Sequence, residues 1–97
     1  MRLIEVSVRE DGITISGHAG YAEPGKDIIC AGATALTETL VKSLEDLTED
    51  EIEYDISPGR ADIQYKNLSE RGQLLVDSFF LGFCLIAADF PGYIKIL

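Results

Sequence analysis

The chain is poor in the residues that catalysis, metal binding and cross-linking draw on. Histidine occurs once, at His18, and cysteine twice, at Cys30 and Cys84. Two cysteines do not make a disulfide framework, and a reducing compartment keeps them as thiols. One histidine and two cysteines, with Cys84 inside an apolar stretch, do not supply the ligands of a closed zinc site. No metal and no cofactor are therefore expected, and Cys84 reads as core packing. Cations are scarce as well. Eight Lys and Arg stand against 17 Asp and Glu, a formal net charge of −9. Nucleic-acid binding needs clustered Lys and Arg to displace counterions from phosphates, and eight scattered cations argue against direct RNA or DNA binding. An acidic surface keeps a protein soluble, and it also suits a basic partner, because opposite fields steer encounter. No secretory signal is expected from "MRLIEVSVRE", which alternates apolar and polar residues. The longest apolar stretch, around Phe79 to Ala88, is shorter than the roughly 20 residues of a membrane-spanning helix. The expectation is a soluble, cytoplasmic protein that avoids membranes. With no repeat, low-complexity tract or linker, residues 1–97 read as a single domain.

What is present is patterned. "LIEVSV" alternates, with Ile4, Val6 and Val8 on one face, and "EDG" turns the chain into "ITIS" with Ile13 and Ile15, a hairpin. Ala33, Leu36, Leu40, Leu44 and Leu47 recur every three or four residues, the stripe of a helix whose other faces carry Glu38, Lys42, Glu45 and Glu49. "EIEYDI" and "ADIQY", joined by "SPG", form a second hairpin. Ser69 starts a second helix, which Gly72 weakens in its first turn, and which runs through "LLVDSFFLGFCLIAADF" to stop before Pro91. "YIKIL" closes the chain as a strand. The order β-β-α-β-β-α-β predicts an α+β fold: a largely antiparallel sheet with two helices on one face. The second helix is apolar nearly all round, and such a helix is buried on more than one side. In so small a domain the second covering is expected to be another copy of itself, giving a homodimer.

The sole histidine and the first cysteine flank one stretch, "GHAGYAEPGKDIICAGATAL", from Gly17 to Leu36. His18 falls where the second strand ends. Asp27 is a natural helix cap, because its carboxylate accepts the free backbone N–H groups of a first turn, and it makes Cys30 the third helical residue. The positive end of a helix favours a thiolate. That effect amounts to about 0.3–1 kcal/mol, and at best about 2, too little alone to ionise an ordinary thiol at neutral pH. A nucleophilic Cys30 therefore needs a base, and His18 is the imidazole available. Residues 19–26 between them could reach roughly 26–29 Å if extended, at about 3.3–3.6 Å each, far more than the join requires. The slack forms a protruding loop with Gly17, Gly20 and Gly25 as flexible points, able to act as a lid. The small residues Ala31 to Ala35 have two readings: close approach of the helix to the sheet, or room for a substrate beside Cys30. Thr34 lies one turn after Cys30 on the same side, where its hydroxyl faces the cleft or bonds the Cys30 carbonyl. By residue chemistry alone a buried thiol near a surface imidazole remains a full alternative to catalysis.

The stretch resembles the signature of the ribosomal-processing cysteine protease family (Prp), which typically reads Gly-His-Ala, a loop, Gly-x-Asp-Ile-Val-Cys-Ala, then small residues and Ser-Ala-Leu. The element order and the closing "AADFPGYIKI" are also similar to that family. The resemblance implies a homodimeric α+β protein of low-GC Gram-positive and related bacteria, or of their phages. It implies an endopeptidase that removes a short N-terminal extension from a ribosomal protein of the large subunit, or cuts a related phage capsid or scaffold protein. Carried over by position, Cys30 would be the nucleophile and His18 the general base. Asp27 matches the family's Asp, and Gly17 and Gly25 match its loop-flanking glycines. The loop is expected to move from the site when substrate binds. Thr34 departs from the family's usual Ser, and its extra methyl narrows the cleft. Backbone N–H groups near Cys30 and Ala31 would be the oxyanion donors. The competing readings are a non-catalytic dimeric acidic adaptor for a basic ribosomal or phage protein, and a thiol redox module joining Cys30 to Cys84.

Overall fold

The structure, a computed structural model, describes residues 3–23 and 26–97. Its elements are β1 (Ile4–Arg9), β2 (Gly12–Ser16), α1 (Ile28–Leu47), β3 (Ile52–Ser57), β4 (Arg60–Tyr65), α2 (Glu70–Asp89) and β5 (Ile94–Ile96), in the expected order. The five strands form one sheet, β3-β4-β2-β1-β5. All neighbours are antiparallel except β1 and β5, which run parallel because α2 carries the chain back across the sheet.

The alternation seen in the sequence sets the face. Val6 lies opposite Ile15, Ile15 opposite Ala61, and Ile13 opposite Ile63, so every inward residue of the central strands shares one side. Ile4, Val6, Ile13 and Ile63 are at most 2% exposed. Each such side chain contributes about 1.5–3 kcal/mol by leaving water. The opposite side is polar, where Arg9 and Asp62 hydrogen-bond Thr14, and Arg60 pairs with Asp62. Both helices therefore lie on one face.

The buried stripe of α1 is Ile29, Ala33, Thr37, Leu40, Val41 and Leu44. Leu47, expected in it, is 54% exposed. The reason is length. A 20-residue helix spans about 30 Å, while strands of five or six residues span about 17–20 Å, so α1 overhangs the sheet. Thr37 occupies the stripe without an unmet polar group, because its hydroxyl donates to the Ala33 carbonyl at 2.8 Å. The small-residue run does more than let α1 near the sheet. A side chain at Gly32 would begin 3.3 Å from Ile86 of α2, and Leu36 leaves only 2.7 Å for one at Gly82.

Ser69 caps α2, accepting from the Gly72 N–H at 3.0 Å, while Asp50 accepts from the Ser69 N–H and hydroxyl. At Gly72 the Asp50 carboxylate fills the place a side chain would need, so packing requires the glycine that weakens this turn. One face of α2 enters the core through Val76, Phe79 and Phe83. Another carries Leu74, Leu81 and Leu85, each more than 60% exposed. Within a single chain α2 is thus buried on one side, not on several as its composition suggests. By length and composition alone this helix would also suffice to cross a membrane.

Candidate active site

The site lies at the N-terminal end of α1, beside the end of β2 and the β3–β4 turn. After β2 the chain turns sharply at Gly17 (φ 98°), where the Leu3 carbonyl occupies the place of a side chain. The Gly17 N–H donates to the Gly59 carbonyl at 2.8 Å, tying the end of β2 to the β3–β4 turn. His18 follows, exposed, and then Ala19, 1% exposed, anchors the loop to the core.

Asp27 is the N-cap of α1, with extended backbone, and Cys30 is the third helical residue. One carboxylate oxygen accepts the Ile29 and Cys30 N–H groups at 3.0 Å each. The other accepts the N–H of Tyr21 at 3.0 Å and of Ala22 at 3.4 Å. The same carboxylate therefore caps the helix and clasps the loop. Burial opposes its ionisation, but the N–H groups of Cys30, Tyr21 and Ala22 and the Cys30 thiol outweigh that and hold its pKa below the ordinary 3.8.

The Cys30 thiol is half-buried and free. The Ala19 N–H points at its sulfur, 3.4 Å away. A donor so placed stabilises negative charge on sulfur and on an oxygen developing beside it. The expectation that the Cys30 and Ala31 N–H groups serve as oxyanion donors needs correction. The first is taken by the Asp27 carboxylate, and the second bonds the Asp27 carbonyl at 3.0 Å as the first turn of the helix. Ala31 is exposed and contributes a small wall instead.

His18 and Cys30 share one cleft of about 790 Å³. Its α1 wall carries Cys30, Ala31, Thr34 and Glu38, and its opposite wall is the stretch from Ile56 to Ala61. Gly32 thus admits α2, a helix–helix approach rather than the expected helix–sheet one, and Ala31 lines the cleft. Thr34 lines the cleft, and among the described residues its hydroxyl has no hydrogen-bond partner. Among those residues no hydrogen bond joins His18 to Cys30; the imidazole leans on Gly59 instead. The loop is docked rather than protruding freely. Tyr21 packs edge-on against Phe90 and Tyr93, ring centres 5.6 and 5.2 Å apart. Gly25 lies outside the described residues. Cys84, half-buried on α2, is also a free thiol. Among the described residues no three His, Cys, Asp or Glu side chains gather as metal ligands.

Two parts of the site have no local signal in the sequence that places them there: the Ala19 N–H and the β3–β4 turn. The turn's existence was legible in "SPG". Its place beside His18 follows only from the pairing of β4 with β2, which sets Arg60 opposite Ser16.

Comparison with known proteins converges on one family. A family model described as cysteine protease Prp matches residues 3–95. The ribosomal processing cysteine protease Prp of Staphylococcus aureus is 26% identical over 103 residues, covering 99% of this chain and 97% of its own. A crystal structure of the S. aureus protease with a covalently linked product peptide superposes with a TM-score of 0.87 at 22% identity, over 99% of this chain and 97% of that one. A crystal structure of a Streptococcus mutans protein superposes at 0.77 with 27% identity, over 99% and 91%.

Proposed function

Since the chain belongs to the cysteine protease Prp family, we infer that it cuts a ribosomal protein precursor, removing a short N-terminal extension, with Cys30 as nucleophile and His18 as base. The observation that carries this reading is the convergence of the sole histidine, a helix-terminal cysteine and a sulfur-directed backbone N–H on one open cleft. His18 takes the thiol proton as sulfur attacks the scissile carbonyl. The Ala19 N–H donates to the oxygen that gains charge. His18 then protonates the leaving amine, and water hydrolyses the thioester, returning the thiol. Asp27 acts on this chemistry at a distance: it fixes the first turn that carries Cys30 and holds the loop that carries the Ala19 N–H. Release of Tyr21 from Phe90 and Tyr93 gives the loop freedom to move aside for a peptide.

The ribosomal substrate is favoured over a phage structural protein by the name of the S. aureus relative, a ribosomal processing protease. A net charge of −9 also suits a basic ribosomal precursor. The apolar row Leu74, Leu81 and Leu85 supports the homodimer, since a second copy would remove it from water. The protein then works in the cytoplasm, where ribosomal proteins are made.

The test uses the wild-type protein and Cys30→Ala with precursor peptides carrying the extension. Cleavage by wild type and its loss in Cys30→Ala, with peptide binding retained, supports the protease reading. Binding by both without cleavage by either leaves the acidic adaptor.

A further inference from the structure

We propose that Gly59, at the tip of the β3–β4 turn, is a positioning residue for the imidazole of His18. This inference rests on His18 being the base. Gly59 has a positive φ of 77°, and the site of an absent Cβ lies 2.7 Å from Nε2 of His18, 3.3 Å from Cε1 and 3.4 Å from Cδ2. The far edge of the ring therefore points at the glycine and closes on the space that any other residue would fill. The backbone on both sides is fixed. The Gly59 carbonyl accepts the Gly17 N–H at 2.8 Å, immediately before His18, and Arg60 lies opposite Ser16 in the sheet. Gly59 and His18 both line the cleft that holds Cys30.

The consequence for the reaction is geometric. Among the described residues His18 has no hydrogen-bonding side chain to orient it, so contact with the turn limits where the ring sits. A methyl at position 59 would push the ring from this place, and displacement of a reacting group by about 1 Å can cost on the order of a hundredfold in rate.

Positive φ would strain Ala at this position whatever the ring does, so the variants are chosen to separate the two effects. Gly59→Asn carries a Cβ but adopts positive φ readily. Gly92→Ala has the same backbone problem (φ 91°) with nothing within 4 Å of the new methyl. The expected result is that Gly59→Asn keeps a near-native melting temperature, loses about tenfold to a hundredfold in kcat at little-changed KM, and shifts the pH profile of Cys30 alkylation toward that of His18→Ala. Gly92→Ala should leave kcat and that profile as in wild type. Because the chain has one histidine, its ring protons are identifiable by NMR without ambiguity. The wild-type protein should show nuclear Overhauser contacts from them to the Gly59 α-protons. Native kcat and alkylation profile in folded Gly59→Asn, or absence of the contact in wild type, overturns the proposal. If His18→Ala itself leaves both readouts unchanged, the base assignment fails instead.

Discussion

The two hairpins read almost alike as sequence and do different work. In β1–β2 the alternating residues Ile4, Val6, Ile13 and Ile15 are all at most 7% exposed. In β3–β4 only the inner strand matches them, with Ala61, Ile63 and Tyr65 buried. Tyr54 and Ile56 pair with Ile63 and Ala61 and so face the same side, yet they are 48% and 40% exposed. The helices sit over the centre of the sheet and leave its β3 edge bare. Alternation fixes which face a residue takes but not whether anything covers that face. The uncovered edge is where the cleft opens, and its turn is what His18 leans on. The first hairpin and β4 hold the fold together; β3 and its turn shape the site.

The contrast is sharpest in stability. Ile63→Ala empties a fully buried position and is expected to cost about 2–5 kcal/mol, read from the denaturant midpoint. Its same-face neighbour Ile56→Ala should cost under about 1 kcal/mol, because water already reaches the side chain, and should instead raise KM for the precursor peptide. Equal losses of stability would erase the distinction between the covered strand β4 and the bare edge strand β3. Asp27→Ala falls between, at about 1 kcal/mol for a lost helix cap, with a drop in kcat as the loop and Cys30 lose their common anchor. The pH dependence has a definite sign. The folded carboxyl is held below the ordinary 3.8, so its contribution is present above 3.8 and fades as pH falls through the folded value. Acid titrations of wild type and Asp27→Ala should converge at the lowest pH. Thr34→Ser is the smallest change expected, within about 0.5 kcal/mol in unfolding free energy and in RT ln(kcat/KM), since it keeps a hydroxyl at an exposed position.

Much of the fold was legible because local rules and tertiary structure agree. Strand alternation, the Ser69 and Asp27 caps and the turn residues each name their own elements, and the seven-element order follows. The errors have a common cause. Leu47 continues the apolar stripe of α1 beyond the reach of the sheet. Gly72 reads in sequence only as a cost to its helix, and the structure adds that it admits Asp50 from a distant loop. The Cys30 and Ala31 N–H groups, expected as oxyanion donors, are already used by the cap and the first helical bond. In each case periodicity reports the direction of a side chain or amide, and a partner remote in sequence decides what it meets.

The sequence by itself determined the helix start that presents Cys30, the cap that fixes it, and the single imidazole that could serve it, because caps and charges act over one helical turn. Only tertiary structure decided that the Ala19 amide would face the sulfur and that a turn some forty residues away would meet His18. Those contacts depend on strand order, and strand order is set by the burial of the whole apolar face rather than by any local signal.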